Sequence, residues 1–151
     1  RAVSGLLNWQ DESSPNNTTT MAVRFQGGRA VPVSAIAISA VETLLSKVRD
    51  QGKKMYREKT DANGQEAEGW ASTKFYYITQ AKKTGNIEEL RLAFAGGTTG
   101  LLGLIQRVAT LRNFARQRGL GPAADAEWAK LQQLLDELKS AVIRAGVVLN
   151  R

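Results

Sequence analysis

Between Phe94 and Gly119 the chain reads FAGGTTGLLGLIQRVATLRNFARQRG: glycines crowd in front of an apolar run, which turns into four arginines with no acid among them. Three chemistries fit that order of residues. The backbone N–H groups of a glycine-rich turn that opens a helix can hold an anion, and Thr98 or Thr99 would add a hydroxyl. A phosphate-binding P-loop, however, needs Gly-Lys-Ser/Thr after its spacer, and this stretch has no lysine. The segment before it, IEELRLAFA, is patterned as helix, not as the strand such a loop follows. A glycine-interrupted apolar segment can also enter a membrane surface. This one is short and internal, and it runs smoothly into the amphipathic positions Leu104, Val108, Leu111 and Phe114. A hinge between two helices accounts for the glycines best. Gly96 and Gly97 end one helix, a threonine caps the next, and Gly100 and Gly103 let its first turn pack closely, at a cost of about 1 kcal/mol per glycine relative to alanine.

The arginines require a separate account. At about 100° per residue, Leu104, Val108, Leu111 and Ala115 centre one face of a helix. Arg107 and Arg118 then border that face on one side, Arg112 and Arg116 on the other. Guanidinium groups fork onto carboxylates or phosphates. No acid lies within this helix, so their partners must come from elsewhere. A second basic stretch, TLLSKVRDQGKKMYREK at 43–59, carries a net charge of +4, as does 101–121, so the rest of the chain is close to neutral. Lys47, Lys53, Lys54 and Arg57 fall opposite the apolar stripe of that first helix.

One such basic strip is most often the solvated side of a bundle helix, here answered by Glu88, Glu89, Asp136 or Glu137. Two of them, in a chain of net charge +7 and pI ≈ 10.0, weigh equally for the phosphate backbone of nucleic acid, RNA or DNA. Single strands also stack on exposed rings. In GWASTKFYYITQAKK, Trp70, Phe75 and Ile78 are better explained as core, which leaves Tyr76 off the stripe as the candidate stacking ring. No helix-turn-helix, zinc-finger or RNP signature supports reading of bases.

Composition excludes much else. With no histidine and no cysteine, Ser-His-Asp and Cys-His catalysis, disulfides and thiolate zinc sites are impossible within the chain. The acid pairs Asp11/Glu12, Glu66/Glu68, Glu88/Glu89 and Asp136/Glu137 are patterned as a linker, cap positions or exposed helix faces. DANGQEAEG lacks the alternating oxygen ligands of a calcium loop. No cofactor and no metal is expected. Neither AVPVSAIAISAV nor LLGLI reaches the roughly 18 apolar residues of a membrane span.

The elements that position these residues follow from spacing. At 151 residues with 42% hydrophobic and 23% charged residues, one globular domain is expected. Residues 1–33 divide as an N-terminal arm from a helical domain at 34–151. The arm holds the polar linker QDESSPNNTTT and two short alternating pieces around Gly27-Gly28 that suggest a small β-hairpin. Five helices are predicted. The first runs from about Ser34, its cap, to Lys59, with Val41, Leu44, Leu45, Val48, Met55 and Tyr56 at helical spacing and Gly52 on the same face. The second spans about Glu66 to Lys83. The third has Asn86 as cap and Glu89 in capping-box position. The fourth covers about Thr99 to Gln117, and the fifth starts at Pro122 and ends near Ala145. In the fifth, Trp128, Leu131, Leu135, Leu138 and Val142 alternate by three and four, the seam of a bundle or coiled coil.

The expectation is an all-α, four- to five-helix bundle with an extended N-terminal arm. Its leading function is non-enzymatic, sequence-tolerant contact with the nucleic-acid backbone through Lys47, Lys53, Lys54, Arg57, Arg107, Arg112, Arg116 and Arg118. The rival is a self-associating structural subunit of a viral or phage capsid, a filament or a secretion complex, joined through the Trp128–Val142 seam as a homo-oligomer. Either would place the protein in the cytoplasm or inside a virion or similar assembly.

Overall fold

The computed structural model describes residues 33–57 and 63–149. The polar linker and the Gly27-Gly28 hairpin of the expected arm lie outside the described residues. Within them the chain forms five helices and no strand: α1 Ala35–Arg57, α2 Gly64–Thr84, α3 Ile87–Phe94, α4 Leu101–Gln117 and α5 Pro122–Arg144. The all-α bundle expected from periodicity is therefore the architecture found. α1 packs most extensively against α2 and then α5, α2 carries α3, and α4 lies mainly along α5.

α1 starts where Ser34 Oγ accepts the Ala37 N–H at 3.0 Å, which satisfies one donor of the first turn. Its stripe Ile38, Val41, Leu45, Val48 and Met55 is buried, while Tyr56 turns outward. Gly52 marks a backbone-to-backbone contact. A Cβ there would sit 2.6 Å from the Gly64 carbonyl oxygen, and a Cβ on Gly64 would sit 2.5 Å from the Gly52 oxygen. α2 begins at Gly64, earlier than the spacing alone predicts, and this contact falls on its first residue. A helical glycine costs about 1 kcal/mol against alanine, and close helix contact offsets it here.

α3 is capped by Asn86 as expected, but the capping box with Glu89 does not form. The Asn86 side chain accepts the Glu88 N–H at 3.0 Å, but the Asn86 N–H goes to Thr84 Oγ1 at 3.1 Å instead of to Glu89. The hydroxyl two residues back reaches that donor first. At the next junction Gly100, not a threonine, occupies the cap of α4. Any side chain there would meet the Gly96 oxygen at 2.1 Å, and one on Gly103 the Thr98 oxygen at 2.6 Å. The turn folds back on the first turn of α4, which is the hinge expected of these glycines.

The core is one cluster. α5 contributes Trp128, Leu131, Leu135, Leu138 and Val142, each at most 1% exposed. α4 adds Leu101, Leu104, Val108 and Leu111. Burying side chains of this size stabilises by about 1.5–3 kcal/mol each. Phe114, expected on the apolar side of α4, is about half exposed.

Candidate functional site

The two basic helices meet at the start of α5. Asp125, in its first turn, is the hub for α4. Arg112 Nε and Nη2 donate to its two oxygens at 2.8 Å each, and Arg116 Nε and Nη2 at 2.8 and 2.9 Å. Arg112 Nη1 also donates to Gln132 Oε1 at 2.5 Å. One carboxylate thus accepts two guanidinium forks, first from Arg112 and then from Arg116, and these hold its carboxyl far below the ordinary aspartate range. The same bonds raise Arg116.

Glu127, two residues on, does the equivalent for α1. Gln51 Nε2 donates to its Oε1 at 2.8 Å and to its backbone oxygen at 3.0 Å, and Lys54 Nζ lies 3.4 Å from Oε1. The Gln51 bond, then Lys54, lowers the Glu127 carboxyl. The C-terminal ends of α1 and α4 therefore flank the N-terminal end of α5. Positive charge there also complements the C-terminal dipoles of the two helices.

The candidate cations divide into two groups. Arg112 and Arg116 belong to Asp125, and Lys54 to Glu127. Arg107 forks onto Glu66 of α2 at 3.2 and 3.0 Å, which raises its pKa. Arg118 lies over the Phe114 ring at 5.9 Å, with no acid beside it among the described residues. Lys47, Lys53 and Arg57 on α1 form no ion pair among the described residues. The acids nominated from spacing take other roles: Glu88 pairs with Arg91 within α3, and Glu137 accepts from Gln133.

Tyr76 is 65% exposed and meets Tyr77 edge-on, with ring centroids 5.4 Å apart. The seam Trp128, Leu131, Leu135, Leu138 and Val142 is filled within one chain. A second copy reaches it only by exchanging a helix.

Sequence reasoning passed over Lys74. It is 8% exposed, among the most buried polar groups described, and forms no ion pair or hydrogen bond among the described residues. Its Nζ stands 5.4 Å from the Trp70 ring centroid, and burial lowers its pKa. The signal was in the spacing: Ala67, Ala71, Lys74, Ile78 and Ala81 alternate by four and three along the buried seam of α2.

Among the described residues no helix is long and apolar enough to cross a membrane, and no group of three His, Cys, Asp or Glu is placed to hold a metal ion. No protein-family model, curated protein or solved structure matches this chain.

Proposed function

We propose that the protein is a non-catalytic helical module that holds the phosphate backbone of RNA or DNA, without regard to base sequence, at the end of the bundle where α1 and α4 flank α5. The observation that carries this reading is that four of the candidate cations have no acid partner among the described residues. Lys47, Lys53 and Arg57 on α1 and Arg118 just beyond α4 have no carboxylate partner among the described residues, in a chain of net charge +7. The forks on Asp125 have a different role in it. They fix α4 to α5 and so set the spacing of these cations. Each phosphate neutralised releases condensed counterions and adds about 0.9 to the slope of log K against log salt.

Fluorescence anisotropy of random oligonucleotides over a salt series tests the reading. Affinity is expected to fall with salt, and Lys53→Ala and Arg57→Ala each to lower the slope by about 1. Binding that is absent at low salt, or a slope indifferent to both changes, removes the proposal.

A second reading, self-association as a structural subunit, is favoured by the opposite end of the bundle. Val33 donates to the Gly85 oxygen at 2.9 Å, and Gly146 lies against Ile87, so the start of α1 and the end of α5 sit together there. Ile36, Ile143 and Val148 are 77%, 49% and 71% exposed at that end. Light scattering on the full chain and on an Ile36→Asp/Ile143→Asp variant tests it. A monomer at high concentration in both argues against this reading.

A further inference from the structure

A groove of ≈ 980 Å³ runs between α2 and α4, within the size range of small-molecule sites. Two struts cross it. The Trp70 Nε1–H donates to the Thr99 oxygen at 2.8 Å, and Arg107 forks onto Glu66. Between them the wall is mostly apolar, with Trp70, Tyr77 and Leu104, and Lys74 faces into the same space. An ammonium withdrawn from water without an acid or an acceptor is costly, and proteins seldom leave one so. Glu66 cannot answer it. That carboxylate is engaged by Arg107 and lies two helical turns away, roughly 12 Å along α2. The Trp70 ring face offsets only part of the cost. A bound anion would supply the rest. Thr73 and Thr98 line the same groove and bring hydroxyls to it.

We propose that this groove binds a small amphipathic organic acid, with its apolar body against Trp70, Tyr77 and Leu104 and its carboxylate on the Lys74 ammonium. The site is separate from the backbone-binding end and does not rest on that reading. Nothing covalent is required: the ligand is held by one charge-assisted hydrogen bond and by burial of its apolar part.

The test uses the full chain and two dyes of similar shape, anilinonaphthalenesulfonate, which is anionic, and phenylnaphthylamine, which is not. The anionic dye should bind at one saturable site and be displaced by naphthaleneacetate. Lys74→Met should weaken it about tenfold or more while leaving the neutral dye unchanged. Leu104→Trp, which fills the groove but keeps the lysine, should abolish both. Circular dichroism and a cooperative melt guard against dye bound to a loosened core. A Lys74 Cε resonance that moves on addition of naphthaleneacetate gives a readout independent of any variant. Equal affinity of the anionic dye for wild type and Lys74→Met overturns the proposal. So does displacement of the dye by an oligonucleotide and not by naphthaleneacetate. Oligonucleotide affinity that is the same in wild type and Lys74→Met is the expected control, and it separates failure here from failure of the backbone-binding reading.

Discussion

Arg112 and Lys74 are both cations drawn out of solvent by neighbouring helices, and the fold treats them in opposite ways. The Arg112 side chain is 17% exposed and all three of its guanidinium nitrogens have acceptors, two on Asp125 and one on Gln132. Lys74 is 8% exposed and has an indole face but no acceptor among the described residues. The first arrangement is a structural clasp, complete within the chain. The second is incomplete, and an incomplete buried charge is the kind of feature that stability alone does not retain. Basic residues counted along a sequence therefore sort into classes only when their acids are located. By that criterion Arg112 and Arg116 of α4 chiefly hold the fold. Among the described residues Lys47, Lys53 and Arg57 on α1, Arg118 beyond α4 and Lys74 in the groove have no acid partner, as is true of Lys83, Lys130, Lys139 and Arg144 on α2 and α5.

The largest effect should come from removing the clasp at its shared acid. Asp125→Ala leaves Arg112 and Arg116, one turn apart on α4, as unpaired like charges, one of them largely buried. A thermal melt should show a larger loss than for either arginine changed singly; an equal loss would mean that the two forks are not coupled through Asp125. Because the folded carboxyl is held far below its ordinary value of 3.8, its contribution is fully present above that value. It is lost as pH falls below it, so the gap between wild type and Asp125→Ala should close on acidification.

Next in size is Arg112→Ala, at about 1–2 kcal/mol from lost charge-assisted bonds and stem packing. The cost stays below that of breaking a fully buried pair because Asp125 keeps Arg116. Urea unfolding measures it, and a change within error would place the clasp on the surface energetically.

How far these positions are legible in the sequence differs from one to the next. The seam of α5 and the stripe of α1 are legible because helical spacing is local: Trp128, Leu131, Leu135 and Leu138 declare their burial with no knowledge of a neighbour. The close approach at Gly52 is legible for the same reason, since a glycine on an apolar face asks for something near it. The identity of ionic partners is not legible. Arg112 pairs with an aspartate thirteen residues on, across a turn, while Glu88, Glu89, Asp136 and Glu137 are equally available by composition. Only the angle at which α4 meets α5 selects Asp125. Lys74 is intermediate. Its place between Ala71 and Ile78 in the seam of α2 is visible in the spacing, but a lysine at such a position also reads as a side chain that snorkels to water. Its lack of an acceptor is a property of the assembled groove.

The smaller effects test the other side of the comparison. Lys74→Met should stabilise the protein by about 1 kcal/mol at neutral pH, because it removes a desolvated charge that nothing among the described residues answers. The sign with pH is opposite to that of Asp125. Burial lowers the folded pKa of Lys74 below its ordinary 10.5, so the folded state sheds its proton first. The penalty is full below the folded pKa and fades as pH rises toward 10.5. The advantage of Lys74→Met over wild type should therefore shrink in alkaline melts; an advantage constant with pH would assign it to packing and not to charge.

The smallest effect is expected at Arg107. It makes the same forked bond to a carboxylate as Arg112 does, yet its side chain is 53% exposed and that of Glu66 41%. Exposed pairs are screened by solvent and give up side-chain entropy to hold their geometry. A double-mutant cycle with Arg107→Ala and Glu66→Ala should show no coupling that a thermal melt resolves, whereas the cycle between Arg112 and Asp125 should. Unequal coupling would establish that a forked bond alone does not make a clasp in this protein, and that burial, the shorter bonds to Asp125 and the added Gln132 acceptor do. Equal coupling in the two cycles would instead make Arg107 a structural strut of the groove, as firm as the one at Asp125.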